Sequence, residues 1–162
     1  MRGTITEKTF YQYLKCPNWV YFDTHASESR SHELLMARLQ DDGLIGEKEQ
    51  DLLSDRQDLV EVTAEDPDEA FKSTLAFMRE GRQTIYRGVL VDKHCVGHPD
   101  ILEKVEGRSR LGNYYYVASD MKRSRFIRDD HKFQGCFYAE LLEKIQGVKP
   151  VQGYIVTPDD EI

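Results

Sequence analysis

Two carboxylates and a lysine occur in the β-rich part of the sequence between residues 88 and 122. Asp120 and Lys122 are separated by one residue, so alternation along a strand places both side chains on the same face. Asp100 lies on the preceding segment. Carboxylate oxygens are the ligands that Mg²⁺ and Mn²⁺ prefer, and an ammonium group suits a point-charge contact with phosphate. These residue types indicate a divalent-metal and phosphate site.

The chemistry of such a site is metal-assisted hydrolysis of a phosphodiester bond. A cation held by Asp100 and Asp120, with the Met121 carbonyl between Asp120 and Lys122, polarises a phosphoryl oxygen and lowers the pKa of a bound water. Lys122 orients that water or stabilises the developing negative charge. Taken alone, however, the Asp120–Lys122 pair is better explained as an ordinary surface ion pair on a charged strand.

A helix predicted over Asp129–Lys144, after this strand, supplies further polar groups. Gln134 and Tyr138 are four residues apart and project from one face, and His131 precedes Gln134 by three residues. This face brings an amide and a phenol to the site if the helix packs over the Asp-Lys strand. The alternative is the ordinary polar seam of an amphipathic helix.

In this order, Gly97–Leu102, Asp120–Lys122 and Gln134–Tyr138 resemble consecutive motifs of the RecB-like branch of the PD-(D/E)xK nucleases. Those motifs are a Gly-x-x-Asp segment, an acid-x-Lys strand and a Gln-x-x-x-Tyr helix. The stretch Leu14–Tyr21 also resembles the Tyr/Leu-x-x-Cys-Pro helix found at the start of such domains. The resemblance covers most of the chain and keeps the family order.

The resemblance implies a Mg²⁺- or Mn²⁺-dependent deoxyribonuclease, acting on single- or double-stranded DNA. The implied metal ligands are Asp100 and Asp120, with His32 as a further ligand on an early helix and Glu33 as the competing choice. The implied catalytic residues are Asp100, Asp120, Lys122, Gln134 and Tyr138. Lys122 is the catalytic lysine of this set, while the amide and the phenol support the site or touch the substrate.

The implied fold is an α/β (α+β) restriction-endonuclease-like core, in which a central mixed sheet with a three-strand meander is flanked by helices. CRISPR-associated relatives carry a four-cysteine iron–sulfur cluster, but no cysteine follows Cys136 here, so we expect no cluster. Other nuclease domains of this kind are coupled to an RNase H-like domain. We therefore expect a fused or associated nucleic-acid-processing partner, with this chain as a domain of a longer protein.

Apolar periodicity and turn residues predict the order of the elements. The predicted helices are Thr6 to about Tyr21, Ser29–Gln40, a short one within Glu47–Asp55, one from Asp66-Pro67 to Gly81, and Asp129–Lys144. The predicted strands are Leu59–Val62, Thr84–Asp92, Val96–Val105, Tyr114–Lys122 and Val151–Thr157. Because Pro99 has no backbone N–H, the strand containing it must bulge or end beside Asp100.

Composition and charge set the remaining expectations. The 162 residues fit one domain, and 22 basic against 29 acidic residues give a net charge of −7, which argues against a general phosphate-coating protein. No apolar run is long enough for a bilayer, and Met1–Glu7 lacks the apolar core of a secretory signal, so we expect a cytoplasmic protein without membrane contact. The widely spaced cysteines are expected to be reduced and buried.

Two alternatives to the nuclease interpretation stay open. His94, Cys95 and His98, together with His131 and Cys136, form a weak candidate for zinc, since their spacing matches no recognised pattern. The second alternative is a catalytically silent domain of the same fold that binds nucleic acid or a protein partner.

Overall fold

The computed structural model describes residues 4–25, 51, 53–54, 56, 58–122 and 126–157. Four bounded helices lie within these residues: α1 (Glu7–Lys15), α2 (Pro17–His25), α3 (Pro67–Glu80) and α4 (Asp129–Gln146). The strands are β1 (Ile5–Thr6), β2 (Leu59–Glu61), β3 (Thr84–Tyr86), β4 (Leu90–Asp92), β5 (Cys95–Gly97), β6 (Ile101–Ser109), β7 (Gly112–Met121) and β8 (Tyr154–Val156). The predicted α+β class with mixed sheets is confirmed.

The larger sheet has five strands in the order β2-β3-β6-β7-β8. The outer pairs β2-β3 and β7-β8 are parallel, whereas β3-β6 and β6-β7 are antiparallel. Strand β7 lies between two neighbours, and its residues from Tyr116 to Asp120 are buried. A carboxylate at the end of β7 is therefore held by backbone pairing on both sides.

A smaller sheet has the order β1-β5-β4, with β1 parallel and β4 antiparallel to β5. The hairpin formed by β4 and β5 divides two of the predicted strands. The predicted strand Thr84–Asp92 becomes β3 and β4, separated at Arg87, which adopts a left-handed φ of 55°. The predicted strand Val96–Val105 ends at Gly97 and resumes at Ile101 as β6, as expected from Pro99. The predicted meander is thus β3-β6-β7, with the hairpin inserted.

Local capping signals define three helix ends as predicted. Thr6 caps α1, its hydroxyl accepting a hydrogen bond from the Thr9 N–H at 3.2 Å. Asp66 caps α3, and Gly81 ends it in the left-handed conformation. The helix predicted from Thr6 to Tyr21 is two helices, because Cys16 is extended before Pro17, which starts α2.

The core lies between the larger sheet and helices α3 and α4. Its fully buried members include Met78, Ile85, Leu102, Tyr116 and Leu142. Some burial predictions were wrong. Their aromatic character and spacing assign Tyr21, Phe22 and Phe133 to the core, but the structure leaves all three exposed. The thiols of Cys16 and Cys136, which the sequence predicts to be buried, are also exposed.

The Gln146 side chain fixes the C-terminal end of α4 against β7. Its Oε1 accepts from the Tyr116 N–H at 2.8 Å, and its Nε2 donates to the Tyr116 carbonyl at 3.0 Å. The Gln146 side chain is fully buried and replaces a missing strand partner at this position. This clamp sets the position of the helix over the strand. None of the described helices is long and apolar enough to cross a membrane.

Candidate active site

The carboxylates of Asp100 and Asp120 lie side by side where β6 begins and β7 ends. The antiparallel register pairs Ile101 with Ser119, so the residues immediately beyond this pair are opposite each other. Asp100 Oδ2 also accepts a hydrogen bond from the Met121 N–H at 2.6 Å. The sequence prediction that these two acids converge therefore agrees with the geometry.

The environment of Asp100 changes its ionisation. Burial, the charge of Asp120 and a hydrogen bond to Asp120 together raise the pKa of Asp100 to about 8, against the opposing effects of the Met121 N–H and Lys122. Asp120 is buried, and its Oδ2 forms an ion pair with Lys122 but accepts no hydrogen bond from any described residue. The raised pKa of Asp100 means that this environment disfavours two negative charges side by side.

A chain of polar contacts leads from Asp120 to helix α4. Lys122 Nζ contacts Asp120 and donates to Gln134 Oε1 at 2.7 Å. Gln134 Nε2 donates to the Tyr138 hydroxyl at 2.7 Å, and this hydroxyl donates to the His98 carbonyl at 3.3 Å. The network therefore ends at the loop between β5 and β6, which contains both His98 and Asp100.

The elements position these side chains by their periodicity. Asp120 and Lys122 share a face because they are two residues apart at the end of a strand, and Gln134 and Tyr138 share a face because they are four apart on a helix. Burial of Tyr138 raises its pKa above the usual range, as do the negative charges of Asp120 and Glu7. The phenol therefore stays protonated and acts as a hydrogen-bond donor.

Helix α1 brings Glu7, which sequence reasoning did not place here, into contact with His98 on the connection between β5 and β6. Glu7 Oε1 contacts His98 Nδ1 at 2.9 Å, and the hydrogen bond that His98 donates to Glu7 raises the pKa of His98 against the opposing effect of burial. Glu7 Oε2 is buried and accepts no hydrogen bond from any described residue. The two residues are 91 positions apart, so no local spacing signals this contact.

The donor set fits a hard divalent cation rather than zinc. Two neighbouring carboxylates match Mg²⁺ or Mn²⁺, which complete their coordination with water. Within the described part of the chain, no three His, Cys, Asp or Glu side chains are close enough to hold a metal ion, so the proposed zinc cluster is not formed there. The predicted further ligands His32 and Glu33 lie outside the described residues.

Cavities lie on two sides of the carboxylate pair. One of about 270 Å³ lies between α4 and residues 150–155, and Asp120 forms part of its wall. The other, of about 460 Å³, is bounded by residues 62–70 and by Arg87, His98 and Asp100. Among the described residues, each carboxylate thus borders a cavity of its own.

Comparisons with protein-family models, with curated proteins and with solved structures gave no match to this chain. The geometry of the site and its chemistry are therefore the basis for a functional proposal.

Proposed function

We propose that this chain is a Mg²⁺- or Mn²⁺-dependent nuclease of the RecB-like PD-(D/E)xK type that hydrolyses DNA phosphodiester bonds. The observation that supports the proposal is the convergence of residues from three parts of the fold in one contact network. These residues are Asp100, Asp120, Lys122, Gln134 and Tyr138. A surface ion pair would not require the half-buried amide of Gln134 and the buried phenol of Tyr138 behind it.

Asp100 and Asp120 would hold the cation in this proposal. When bound, the cation polarises a phosphoryl oxygen and lowers the pKa of a water molecule. The pairing of β6 with β7 keeps the two carboxylates side by side, and the Met121 N–H fixes the orientation of Asp100. The like-charge repulsion between Asp100 and Asp120 would be lower with a cation bound.

Lys122 supplies the positive charge next to the phosphate. Its side chain is only 19% exposed, so water screens the ammonium less than it would on an open surface. Gln134 Oε1 accepts a hydrogen bond from the ammonium group, which limits the rotation of the lysine side chain. Lys122 can thus stabilise the negative charge that develops on the phosphate oxygens or hold the attacking water.

Tyr138 has a positioning role. Its hydroxyl connects the Gln134 amide to the His98 carbonyl, two residues before Asp100. The contact joins the helix to the loop that carries the first carboxylate. The proposal includes DNA as the substrate, a cytoplasmic location and an associated nucleic-acid-processing domain.

The test is cleavage of single- and double-stranded DNA in Mn²⁺ by the wild-type protein and by Asp120→Asn. We expect metal-dependent cleavage that the substitution abolishes. Asp129→Asn is the matched control, because it removes the same charge from an exposed position on α4. Cleavage that survives in Asp120→Asn would show that another site is responsible.

The second candidate is a silent nuclease-fold domain that binds nucleic acid or a protein partner. The net charge of −7 favours the form of this candidate that binds a protein partner, because an acidic chain has no general attraction for phosphate. Binding of DNA or a partner without cleavage of any DNA in Mn²⁺ or Mg²⁺ would support this candidate over the nuclease.

A further inference from the structure

The cavity beside Asp120 has the volume and the partly apolar lining of a pocket for a ring-sized group. Its volume is about 270 Å³, and a protein cavity of about 150 Å³ is enough to hold benzene. Buried Ala118 and Leu142 contribute to its lining, with Pro150. A pyrimidine or purine ring therefore fits the available space, and the wall at Asp120 places that ring next to the candidate metal centre.

The opening of the cavity carries groups that suit a nucleotide. Tyr154 is 44% exposed, and its hydroxyl accepts a hydrogen bond from Gln152 Nε2 at 2.9 Å, which restrains the ring. A restrained aromatic ring offers a stacking surface for a base of any sequence. Lys132, also at the cavity, is ion-paired with Asp129 but 63% exposed and accessible to a phosphate.

Gly135 keeps this cavity open from the helix side. A glycine inside a helix lowers its stability, so its presence in α4 calls for a reason. Packing is not the reason, because a Cβ at Gly135 would meet no heavy atom within 4 Å. Gly97 is different, since a Cβ there would lie 2.8 Å from Leu141. Gly135 lines the cavity, so a longer side chain at this position would occupy it.

We infer that this cavity receives the base of a nucleotide next to the phosphate that is cleaved. A base inside a duplex is stacked and paired, so it reaches such a cavity only from a single strand or a frayed end. The preferred substrate is therefore DNA with unpaired bases at the cleavage position. This inference rests on the proposed nuclease function, but base binding is measurable without cleavage.

The test compares Gly135→Leu with Gly135→Ala, which adds a Cβ and leaves most of the cavity open. Binding of a labelled single-stranded oligonucleotide is measured by fluorescence anisotropy in the presence of Ca²⁺. A gel then checks that the oligonucleotide has kept its full length. We expect Gly135→Ala to bind like the wild type and Gly135→Leu to bind about tenfold more weakly. Both variants replace a helix glycine, so thermal unfolding should show that neither is less stable than the wild type.

A strand of the same length without bases separates base binding from backbone binding. The wild type should prefer the strand with bases, whereas Gly135→Leu should bind both strands alike. Equal binding of the normal strand by Gly135→Leu and Gly135→Ala would overturn the inference, even if both cleave DNA. If Gly135→Leu loses the base-dependent binding and no protein, including the wild type, cleaves DNA, the base-binding cavity is supported and the proposed nuclease function is rejected. Absence of binding and of cleavage would reject both.

Discussion

Lys122 donates a hydrogen bond to the Gln134 amide oxygen at 2.7 Å, and this contact joins the end of β7 to helix α4. The same ammonium forms an ion pair with Asp120. The lysine is therefore held between a carboxylate and an amide, and the amide is itself held by Tyr138. Such support restricts a flexible side chain to one orientation before any substrate binds.

Removal of the Gln134 amide should release Lys122. We expect Gln134→Ala to lower kcat for DNA cleavage by about 10–100-fold, the usual effect of losing a group that orients a site residue. Affinity for Mn²⁺ should change little, because neither carboxylate contacts the amide directly. The measurement is a comparison of kcat with the Mn²⁺ dissociation constant. An unchanged kcat would mean that Lys122 does not depend on this contact.

Gln146 should contribute strongly to stability through its clamp on Tyr116. Gln146→Leu leaves a buried N–H and a buried carbonyl of Tyr116 without these partners, and each unsatisfied group costs about 1–3 kcal/mol. We expect a loss of about 2–4 kcal/mol in the free energy of unfolding, measured by urea denaturation. Gln152→Leu, an exposed position, is the control and should change stability by less than about 0.5 kcal/mol. Equal stability of the two variants would contradict the clamp.

His131 should make the protein less stable in mild acid. Burial lowers its pKa below the usual 6.5, the charges of Lys122 and Arg128 add to this effect, and the charges of Asp130 and Asp120 oppose it. His131 binds a proton more readily in the unfolded chain than in the folded protein. The contribution of neutral His131 to the free energy of unfolding is therefore fully present above about pH 6.5, and it is lost as the pH falls through the lower pKa of the folded state.

The variant that isolates this effect is His131→Gln. The imidazole Nδ1 accepts from the Arg128 N–H at 3.3 Å at the start of α4, and a Gln side chain at this position keeps that type of cap. Urea midpoints measured from neutral pH to about pH 5 should fall less steeply for His131→Gln than for the wild type. Parallel pH profiles would show that another group causes the acid sensitivity.

The part of the site that local spacing controls could be predicted from sequence. Asp120 and Lys122 share a strand face, and Gln134 and Tyr138 share a helix face, because each pair is set by the geometry of one element. The end of a strand beside Asp100 followed from the missing N–H of Pro99. These features depend on covalent geometry, which the sequence carries directly.

Features that depend on tertiary packing could not be predicted in the same way. The contact of Glu7 with His98 joins residues 91 positions apart. The side chain of Phe133 lies on the apolar face by periodicity, yet it is 48% exposed, because which part of a helix face is covered depends on its neighbours. Arg87 divides a predicted strand through a left-handed conformation that its residue type does not signal.

The central claim is that Asp100 and Asp120 hold the cation on which hydrolysis depends. The most direct measurement is a Mn²⁺ titration followed by electron paramagnetic resonance of the free ion, on the wild type, Asp120→Asn and Asp129→Asn. We expect the wild type and Asp129→Asn to bind Mn²⁺ alike and Asp120→Asn to bind at least about tenfold more weakly, since a buried carboxylate ligand is lost. Equal Mn²⁺ affinity in Asp120→Asn and the wild type would contradict the account.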